Sequence, residues 1–453
     1  MKLIVNDTNR ATEAIQGALD QVFLNGGGTV EIEAGVYDIK SIRIRSNTTL
    51  YLKSGVHLRG SRDPEDYFTH LNDTVEPLSP DQITDAPYVG LWTIHGETHY
   101  DEADPRYRFK RKPASRWNNA LIRVIDAENV KIIGEEGSII DGNNVYDPIG
   151  EEDYRGPHAM TFFNVKNVVF KGYTIQHSSN WAHNMLFCDN ITVEGIKVLA
   201  GHDGFDAAVC RNLTITNCEF YTGDDCIAGF GNTNVFVSGC ILNSSCSAFR
   251  FGGSNVYVRN CHIQAPGKYS FRNRLSLEDK KAGVVATPDK TRNNMLSAFT
   301  YYADYSVPIP EQPCNIVLKD CVIDGADRFL HYNFSGNETW QRYRPLTNIT
   351  FENIKSTGIA MPLMLYGTEE IPVELTLKNI DISKRDDAAN EPLIKACNFS
   401  RITLENVNID GNAGDCLILS RSHGETVFKN VECNLSEANY LKMTDAEFDI
   451  ETV

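Results

Sequence analysis

A short phrase repeats along this chain: an asparagine, then an alternating apolar stretch that ends in a turn. Five of these phrases begin at Asn167, Asn190, Asn212, Asn234 and Asn255, which are 23, 22, 22 and 21 residues apart. A fixed period of this length indicates one supersecondary unit stacked on copies of itself, because each copy is too small to bury its own apolar face. The chain is therefore expected to fold as a solenoid.

The residues after each asparagine indicate which solenoid this is. Val-Val-Phe follows Asn167 and Ile-Thr-Val follows Asn190, a period-2 alternation rich in β-branched residues that is typical of strands. A coil of about 22 residues fits three strands of roughly five residues joined by turns. We therefore predict an all-β fold, a right-handed parallel β-helix, as a single domain over residues 1–453 because a solenoid grows in one dimension. Further phrases extend it at Asn129, Asn315, Asn348, Leu375–Asn379, Ile402–Asn406 and Val427–Asn430.

The N-terminal residues predict a cap on the solenoid. Residues 8–24 carry apolar side chains at helical spacing, with Asp7, Thr8 or Asn9 available as N-cap and three glycines following. The predicted apolar face is Ala11, Ile15, Ala18, Leu19, Val22 and Phe23. Because an exposed edge of unpaired strands invites aggregation, we expect this helix, within a cap of residues 1–28, to cover the first coil.

Two long segments interrupt the period, residues 61–118 and 268–313. The first holds the basic and aromatic run Arg106–Lys112, and the second holds Lys280–Lys281 and the aromatic cluster Phe299–Tyr305. Insertions from neighbouring coils are expected to wall a groove. The first is explained equally well as a solvated basic stretch whose aromatic residues pack on the solenoid wall.

The composition excludes several classes of protein. With 43 basic and 60 acidic residues the net charge is −17, which argues against a nucleic-acid partner. No apolar run approaches the length of a membrane span, so no membrane partner is expected. The start, Met1–Asn6, has neither the apolar core nor the small-residue cleavage site of a secretion signal, which predicts a cytoplasmic protein.

The cysteines recur with the period of the coil. Cys218, Cys240, Cys261 and Cys321 each lie six residues after the leading asparagine of their phrase, so they share one coil position. We expect a stacked column of buried free thiols, and neither disulfides nor a zinc site, because the spacing matches no ligand pattern. Reduced thiols also favour the cytoplasm. No metal ion or other cofactor is predicted.

A second shared coil position carries acidic residues. Thirteen residues after successive leading asparagines lie Asn180, Asp203, Asp225, Ser247 and Lys268. Stacked coils are about 4.8 Å apart, so Asp203 and Asp225 are expected to be adjacent, with Asp224 beside them. Like charges at this distance predict that the pKa of at least one carboxyl group is raised. Two neighbouring carboxyl groups whose pKa values differ can act as the acid and the base that cleave a glycosidic bond. A surface cluster of aspartates or a divalent-cation site would use the same residues.

The motifs around these aspartates resemble a known enzyme family. Gly201–Asp206 (GHDGFD) and, one coil later, Gly223–Ala228 (GDDCIA) resemble the Asn-Thr-Asp-Gly and Gly-Asp-Asp-Cys motifs of glycoside hydrolase family 28, the polygalacturonases. Upstream, Gly172–His183 (GYTIQHSSNWAH) is similar to the family's stretch ending Trp-x-x-His or Trp-x-His, and Gly137–Gly142 (GSIIDG) to its Gly-x-Ile-Asp-Gly turn. The resemblance covers at least residues 129–275.

The resemblance implies an inverting hydrolase. Asp224 would be the general acid, and Asp203 with Asp225 would hold the attacking water. Inversion requires roughly 6.5–9.5 Å between the acid and base carboxyl groups to admit that water. Asp224 and Asp225 would therefore point in different directions, as the alternation of a strand or turn permits.

The chain departs from the family pattern at two places. The family's Gly-His-Gly turn aligns with Cys246–Ala248, so Ser247 stands where the family has a supporting histidine. Gly201–His202 replaces the Asn-Thr that precedes the first aspartate. His202 or His183 is a candidate to compensate, and both are predicted near the substrate with Ser247.

Arginines are candidates for binding an acidic sugar. The family's Arg-x-Lys, which grips the substrate carboxylate, has a counterpart in Arg272 and Arg274, and Arg250 lies on the preceding coil. Arginine pairs carboxylates through two parallel hydrogen bonds, so an acidic sugar is compatible with the net negative charge. A structural salt bridge explains the same arginines nearly as well.

One more coil position is predicted to face the substrate. His331, His183 and Asp206 each lie sixteen residues after the leading asparagine of their phrase, so they are expected on one face. The alternative for a lone histidine is a hydrogen-bonded residue of the wall.

Together these features predict a glycoside hydrolase of oligo- or polysaccharides, exo-acting on galacturonate-containing oligosaccharides because a cytoplasmic enzyme meets imported fragments. Two alternatives stay open. One is a hydrolase of the same fold that acts on a different, neutral glycan. The other is a carbohydrate-binding or structural β-helix without catalysis.

Overall fold

The computed structural model describes residues 1–67, 93–94, 97–98, 119–148, 155–272, 278, 282, 292–303, 311–333, 344–388 and 390–448. The fold class is the predicted right-handed parallel β-helix. The chain falls into two compact units. Unit 1 is Met1–Asp224, Tyr269–Arg292 and Ser306–Pro308; unit 2 is Asp225–Lys268, Asn293–Tyr305 and Ile309–Val453. The assignment of the whole chain to one domain stays a prediction.

In its described residues, unit 1 contains one α-helix and the first eighteen strands. Helix α1 is Ala11–Leu24, and a short 3-10 turn spans Pro64–Asp66. The strands are β1 Lys2–Val5, β2 Gly28–Ile32, β3 Gly35–Ile39, β4 Ile42–Arg43, β5 Thr48–Leu52, β6 Val56–Gly60, β7 Thr93–Ile94, β8 Glu97–Thr98, β9 Ala120–Gly134, β10 Ile139–Asp141, β11 His158–Lys171, β12 Thr174–Gln176, β13 His183–Leu186, β14 Asp189–Glu194, β15 Lys197–Ala200, β16 Phe205–Ala208, β17 Arg211–Thr216 and β18 Glu219–Thr222. Apart from the antiparallel pair β7–β8, the ladders given for these strands are parallel.

Unit 2 continues with parallel strands and a 3-10 turn, Glu437–Asn439. Its strands are β19 Ile227–Ser238, β20 Ile241–Ser244, β21 Ser247–Arg259, β22 His262–Gln264, β23 Ser297–Tyr301, β24 Cys314–Asp324, β25 Leu330–Asn333, β26 Asn348–Ile359, β27 Leu363–Tyr366, β28 Val373–Lys384, β29 Ile394–Cys397, β30 Phe399–Asp410, β31 Ile418–Ser420, β32 Glu425–Glu432 and β33 Leu441–Met443. Each strand pairs with its counterpart one coil away, and we call one such coil a rung.

The leading asparagines explain why each phrase begins as it does. In unit 1 the side-chain amides of Asn129, Asn167 and Asn190 each donate to the asparagine one rung below, over 2.7–2.9 Å. These residues have φ of 58–59°, in the left-handed region that asparagine tolerates better than most residues. Asparagine at this position therefore adopts the left-handed conformation that the corner requires and also hydrogen-bonds to the neighbouring rung.

The predicted cysteine column is confirmed as buried free thiols. All twelve cysteines are free, and Cys218, Cys240, Cys261 and Cys321 are buried. In unit 2 the thiol of Cys261 interacts with both Cys240 and Cys321, so these three stack on successive rungs. Small thiols fill the interior at this corner.

Helix α1 caps unit 1, as predicted, but it starts later and buries a narrower face than predicted. It begins at Ala11, and Asp7 accepts backbone hydrogen bonds from Asn9 and Arg10 in the turn before it. Ala11, Ile15, Leu19 and Val22 are buried, whereas Ala18 is half-buried and Phe23 is exposed. The side of the helix that packs on β1–β4 is therefore narrower than the predicted face. Among the described residues, no helix combines the length and apolar character needed to cross a membrane.

The second predicted insertion is partly wrong. Residues Ser297–Tyr301 form strand β23, which pairs with β21, and Phe299 and Tyr301 are buried in the core. The regular coil thus resumes inside the predicted insertion. The side chains of this strand alternate between the two faces, so its aromatic residues pack in the core as those of other strands do. The run Arg106–Lys112 and the pair Lys280–Lys281 lie outside the described residues.

Candidate active site

The aspartates Asp203 and Asp224 lie on adjacent rungs of unit 1. Strand β15 pairs with β18 up to Ala200 and Thr222, and the backbone N–H of Gly223 donates to the carbonyl of Ala200 over 2.9 Å. Asp203 lies three residues after Ala200, and Asp224 lies two residues after Thr222. Both are 6% exposed, so each carboxyl group sits in a largely enclosed setting at the edge of the ladder.

Gly223 brings the two rungs together at this point. A Cβ atom built on Gly223 would lie 2.3 Å from the carbonyl oxygen of Gly201 and 2.3 Å from that of Ser270. No side chain fits between these backbones. The glycine that opens the Gly-Asp-Asp motif therefore sets the spacing of the turns that carry Asp203 and Asp224.

Arg272 forms an ion pair with Asp224. Its Nε donates to Asp224 Oδ2 over 2.8 Å, and its backbone N–H donates to the carbonyl of Gly223 over 2.9 Å. Arg272 has φ of 42°, a region that non-glycine residues rarely occupy. The arginine predicted to grip the substrate is thus held against the predicted acid. Arg274, its predicted companion, lies outside the described residues.

His202 and Asp206 lie in and just after the turn that carries Asp203. Both are buried. Asp206 pairs with Asn184 of the neighbouring strand, and Asn184 pairs with Thr161. These polar residues occupy the outward side of their strands, opposite the apolar core.

The prediction that His183 faces the substrate is wrong. Its strand register matches it to Phe205, and the ring is fully buried against Phe170 and Phe205. Nδ1 donates to the carbonyl of Gly204 and Nε2 accepts from the hydroxyl of Tyr173, each over 3.0 Å. Burial lowers the pKa of His183 to about 4, so the ring is neutral near pH 7. The buried His183 ring therefore holds the turn after Asp203 by a hydrogen bond from the interior of the coil.

A one-residue difference in coil length explains this error. The coil from Asn167 to Asn190 has 23 residues, whereas the next has 22. A residue sixteen positions after Asn167 therefore lies one position earlier in its strand than a residue sixteen positions after Asn190. In a strand such a slip moves a side chain to the opposite face. The residue that shares the outward face with Asp206 is Asn184, which the sequence pattern did not single out.

In unit 2, Asp225 and Ser247 lie on neighbouring rungs. The backbone N–H of Cys226 donates to the carbonyl of Ser247 over 3.1 Å, and both Asp225 and Ser247 are buried. The Ser247 hydroxyl lies 3.3 Å from Thr300 Oγ1 and 3.4 Å from Ser297 Oγ. Its predicted contact with substrate is therefore corrected: a fully buried, hydrogen-bonded hydroxyl supports the wall.

Asp225 also lies near a thiol. Its carboxylate and the Cys246 Sγ offer atoms within 4.8 Å of each other. No cation is assigned to these residues.

Arg250 and His331 share one face of unit 2. The register matches Arg250 to Thr300 and Thr300 to His331, while Phe249 and Phe299 fill the interior behind them. The Arg250 guanidinium lies 4.0 Å from the centroid of the Tyr302 ring. The sixteen-residue spacing predicted the outward position of His331 and did not include Arg250.

Arg328 is a residue of this wall that the repeat did not reveal. Its Nη1 donates to His331 Nδ1 over 2.8 Å, and its Nε donates to the carbonyl of Pro362 over 3.0 Å. A guanidinium only donates, so His331 Nδ1 must be unprotonated and Nε2 must carry the ring proton. Burial and the charges of Arg328 and Arg250 lower the pKa of His331 to about 3. His331 is therefore a neutral N–H donor.

The lowered pKa of His331 predicts a loss of stability in acid. Since its pKa is about 3 in the folded chain and 6.5 for the ordinary group, the unfolded chain takes up this proton first. Stability is thus expected to fall as the pH is lowered from 6.5 towards 3, by about 1.4 kcal/mol for each unit of pKa difference. The melting temperature of His331→Gln should fall less over this range than that of the wild type. His423→Gln, at an exposed histidine, should follow the wild type; equal curves for all three proteins would contradict the assignment.

A cavity of about 540 Å³ lies elsewhere in unit 1. It is lined by residues of α1 and nearby strands, among them Lys40, Arg59 and Asp66. None of the predicted site residues lines it. The cavity is therefore separate from the acidic site.

Comparison with known proteins supports the motif-based prediction. Residues 93–268 match the family model of glycosyl hydrolases family 28. A probable polygalacturonase of Vitis vinifera is 23% identical over 209 residues, which cover 44% of this chain and 40% of that relative. The chain thus spans less than half the length of this curated relative. The predicted resemblance to family 28 is confirmed.

Two solved structures share the fold. An exopolygalacturonase of Thermotoga maritima superposes with a TM-score of 0.60 at 16% identity, covering 91% of this chain and 92% of that protein. A family 28 exopolygalacturonase of Yersinia enterocolitica has a TM-score of 0.60 at 15% identity, covering 98% of this chain and 78% of that protein. At these identities the likeness establishes the β-helix alone.

Proposed function

We propose that this chain, which resembles glycosyl hydrolases family 28, hydrolyses O-glycosidic bonds of galacturonate-containing oligosaccharides. The proposal rests on one observation in unit 1: Asp203 and Asp224 follow paired positions of adjacent rungs, both largely enclosed, with an arginine on Asp224. Paired carboxyl groups at the edge of a ladder are the groups that glycosidic cleavage needs.

The proposed reaction is a single displacement. Asp224 donates a proton to the glycosidic oxygen as the bond from that oxygen to the anomeric carbon breaks. Asp203 accepts a proton from the water whose oxygen bonds to the anomeric carbon from the opposite face. The sugar leaves with inverted configuration, and one proton has been passed from the acid to the leaving group and another from water to the base.

Three features support an acidic sugar. Arg272 and Arg250 carry guanidinium groups that match a carboxylate, and His331 offers a neutral N–H. Arg272 is on unit 1, and Arg250 and His331 are on one outward face of unit 2. The proposed mode is exo, since twelve free cysteines favour a reducing cytoplasm, where an enzyme meets imported fragments.

A neutral glycan is the second candidate substrate, and one contact favours it. The Arg272 guanidinium is already paired with Asp224, so it is occupied in the unliganded protein. A neutral sugar would leave that pair intact. The two candidates therefore differ in what happens to Arg272 on binding.

The configuration of the first product tests the mechanism. Proton NMR of the anomeric region during hydrolysis of a defined galacturonic acid trimer is expected to show the inverted anomer first, with the retained anomer appearing only at the rate of mutarotation. A neutral galactose trimer of the same linkage serves as the comparison substrate. Initial formation of the retained anomer contradicts the assigned roles, and binding of either trimer without turnover indicates a non-catalytic protein.

A further inference from the structure

The cavity of unit 1 is lined by charged groups of both signs. It is bounded by the first turn of α1, the ends of β3 and β6, and the turns that follow β6 and β10. Its acidic residues are Glu13, Asp38 and Asp66, and its basic residues are Lys40, Arg59 and Arg62. Because these charges balance, the lining favours neither an anion nor a cation and suits an uncharged polar ligand.

Ion pairs hold part of this lining in place. Arg59 donates through Nε and Nη2 to the two carboxylate oxygens of Asp38, over 2.5 and 2.8 Å. Lys40 Nζ lies 2.6 Å from Asp66 Oδ1, and the Ser61 hydroxyl donates to Asp66 Oδ2 over 2.6 Å. Side chains that are fixed before a ligand arrives lose little freedom on binding, so the lining is preorganised.

Other groups of the lining keep hydrogen-bonding capacity for a ligand. Asn143 is oriented by two bonds: its Nδ2 donates to the carbonyl of Gly60 over 2.8 Å, and its Oδ1 accepts from Arg62 Nε over 3.3 Å. The other N–H groups of Arg62 are donors, and the Glu13 carboxylate is an acceptor. Within the described residues, neither Arg62 nor Glu13 belongs to an ion pair. The cavity therefore offers donors and acceptors together.

The hydroxyl groups of a sugar match this lining. A hydroxyl donates one hydrogen bond and accepts through two lone pairs, so it can bond to a carboxylate and a guanidinium side by side. The apolar side chains of the lining are Ala11 and Ile39, and both are buried, so they offer little surface to an apolar ligand. The volume of about 540 Å³ lies within the range of roughly 300–1,000 Å³ that is typical of ligand pockets.

The cavity lies along the same edge of unit 1 as the acidic site. The ends of β3, β6 and β10 stack in register, and the ladder continues through β12 to β15 and β18, which precede Asp203 and Asp224. The rung of Asn143 is two rungs from that of Asp203, about 10 Å along the axis at about 4.8 Å per rung. A glycan held in the cavity would therefore stay close to the aspartates.

We propose that this cavity is a second carbohydrate-binding site, separate from the acidic one, which takes a neutral sugar. The choice of a sugar rests on the proposed function, because the cavity shares an edge with the residues assigned to glycosidic cleavage. The neutral character rests on the balanced charges of the lining. No bond is made or broken at this site.

Isothermal titration calorimetry with the neutral galactose trimer tests the proposal. The full chain carrying Asp224→Asn is titrated, so that turnover does not add heat to the signal. Glu13→Trp places an indole ring in the cavity, and Arg62→Ala removes a donor from it. Each change is expected to raise Kd about tenfold, the effect of losing one hydrogen bond to a charged group. Both residues are exposed, so melting curves should confirm that the variants fold.

The matched controls are Gln21→Trp and Arg10→Ala, at exposed positions that do not line the cavity. Both should keep the Kd of the parent chain. Equal Kd values in all variants, or no binding of the neutral trimer, overturn the proposal. Tighter binding of the galacturonic acid trimer, weakened by the same two cavity variants, would identify an anion site and also overturn it.

Turnover is measured separately on chains that keep Asp224. Glu13→Trp and Arg62→Ala should then cleave the galacturonic acid trimer at the rate of the wild type, because they leave the acidic site intact. If the wild type cleaves neither trimer, the proposed function fails, while the calorimetry still confirms or overturns the second site.

Discussion

Asp224→Asn is expected to lower kcat on the galacturonic acid trimer about 10²- to 10⁴-fold, the range that a general acid contributes. The amide keeps the size of the side chain and can accept from Arg272, but it has no proton to give to the leaving oxygen. The melting temperature should change little, because Arg272 is a third exposed and water screens the charge left on it. Initial rates and thermal unfolding measure the two effects separately.

Asp189→Asn is the matched control. Asp189 also accepts from an arginine in unit 1, Arg211 Nη2 over 2.9 Å, but it stands at the corner of strand β14 where the leading asparagines stack. This variant should hydrolyse the trimer at the rate of the wild type. Wild-type turnover by Asp224→Asn would show that the proton comes from another group.

Gly223→Ala is expected to remove most of the activity and to destabilise unit 1. The added Cβ would lie 2.3 Å from two backbone oxygens, those of Gly201 and Ser270, which have no side-chain freedom with which to yield. Overpacking of this kind costs about 1–3 kcal/mol. A shift of about 1 Å in the turn that carries Asp224 would lower kcat about 100-fold. Chemical denaturation and initial rates measure these losses.

Gly17→Ala provides the contrast. Gly17 lies in helix α1, and a Cβ atom there would meet no heavy atom within 4 Å. This substitution should stabilise the protein by up to about 1 kcal/mol, because alanine favours the helix over glycine, and leave turnover unchanged. Equal behaviour of the two glycine variants would mean that the close approach of the rungs at Gly223 does not matter.

The repeat predicted the rungs on which several candidate site residues lie. The sixteen-residue spacing placed His331 on an outward face, and the register of unit 2 adds Arg250 to the same face. The same counting failed at His183, where a longer coil shifted the phase by one residue. Ser247 was assigned to the right rung, but its burial among other hydroxyls depends on Ser297 and Thr300, which lie some fifty residues further along the chain.

The sequence by itself determined the parallel β-helix, the cap, the thiol column and the rungs on which the aspartates lie. These features follow from periodicity, turn residues and alternation, which act over a single coil. Only the tertiary structure decided that His183 points inward, that Arg328 sets the tautomer of His331 and that Arg272 pairs with Asp224, 48 residues away. Such contacts depend on how each rung lies on the next, and a shift of one residue, or one side chain reaching across, is enough to change them.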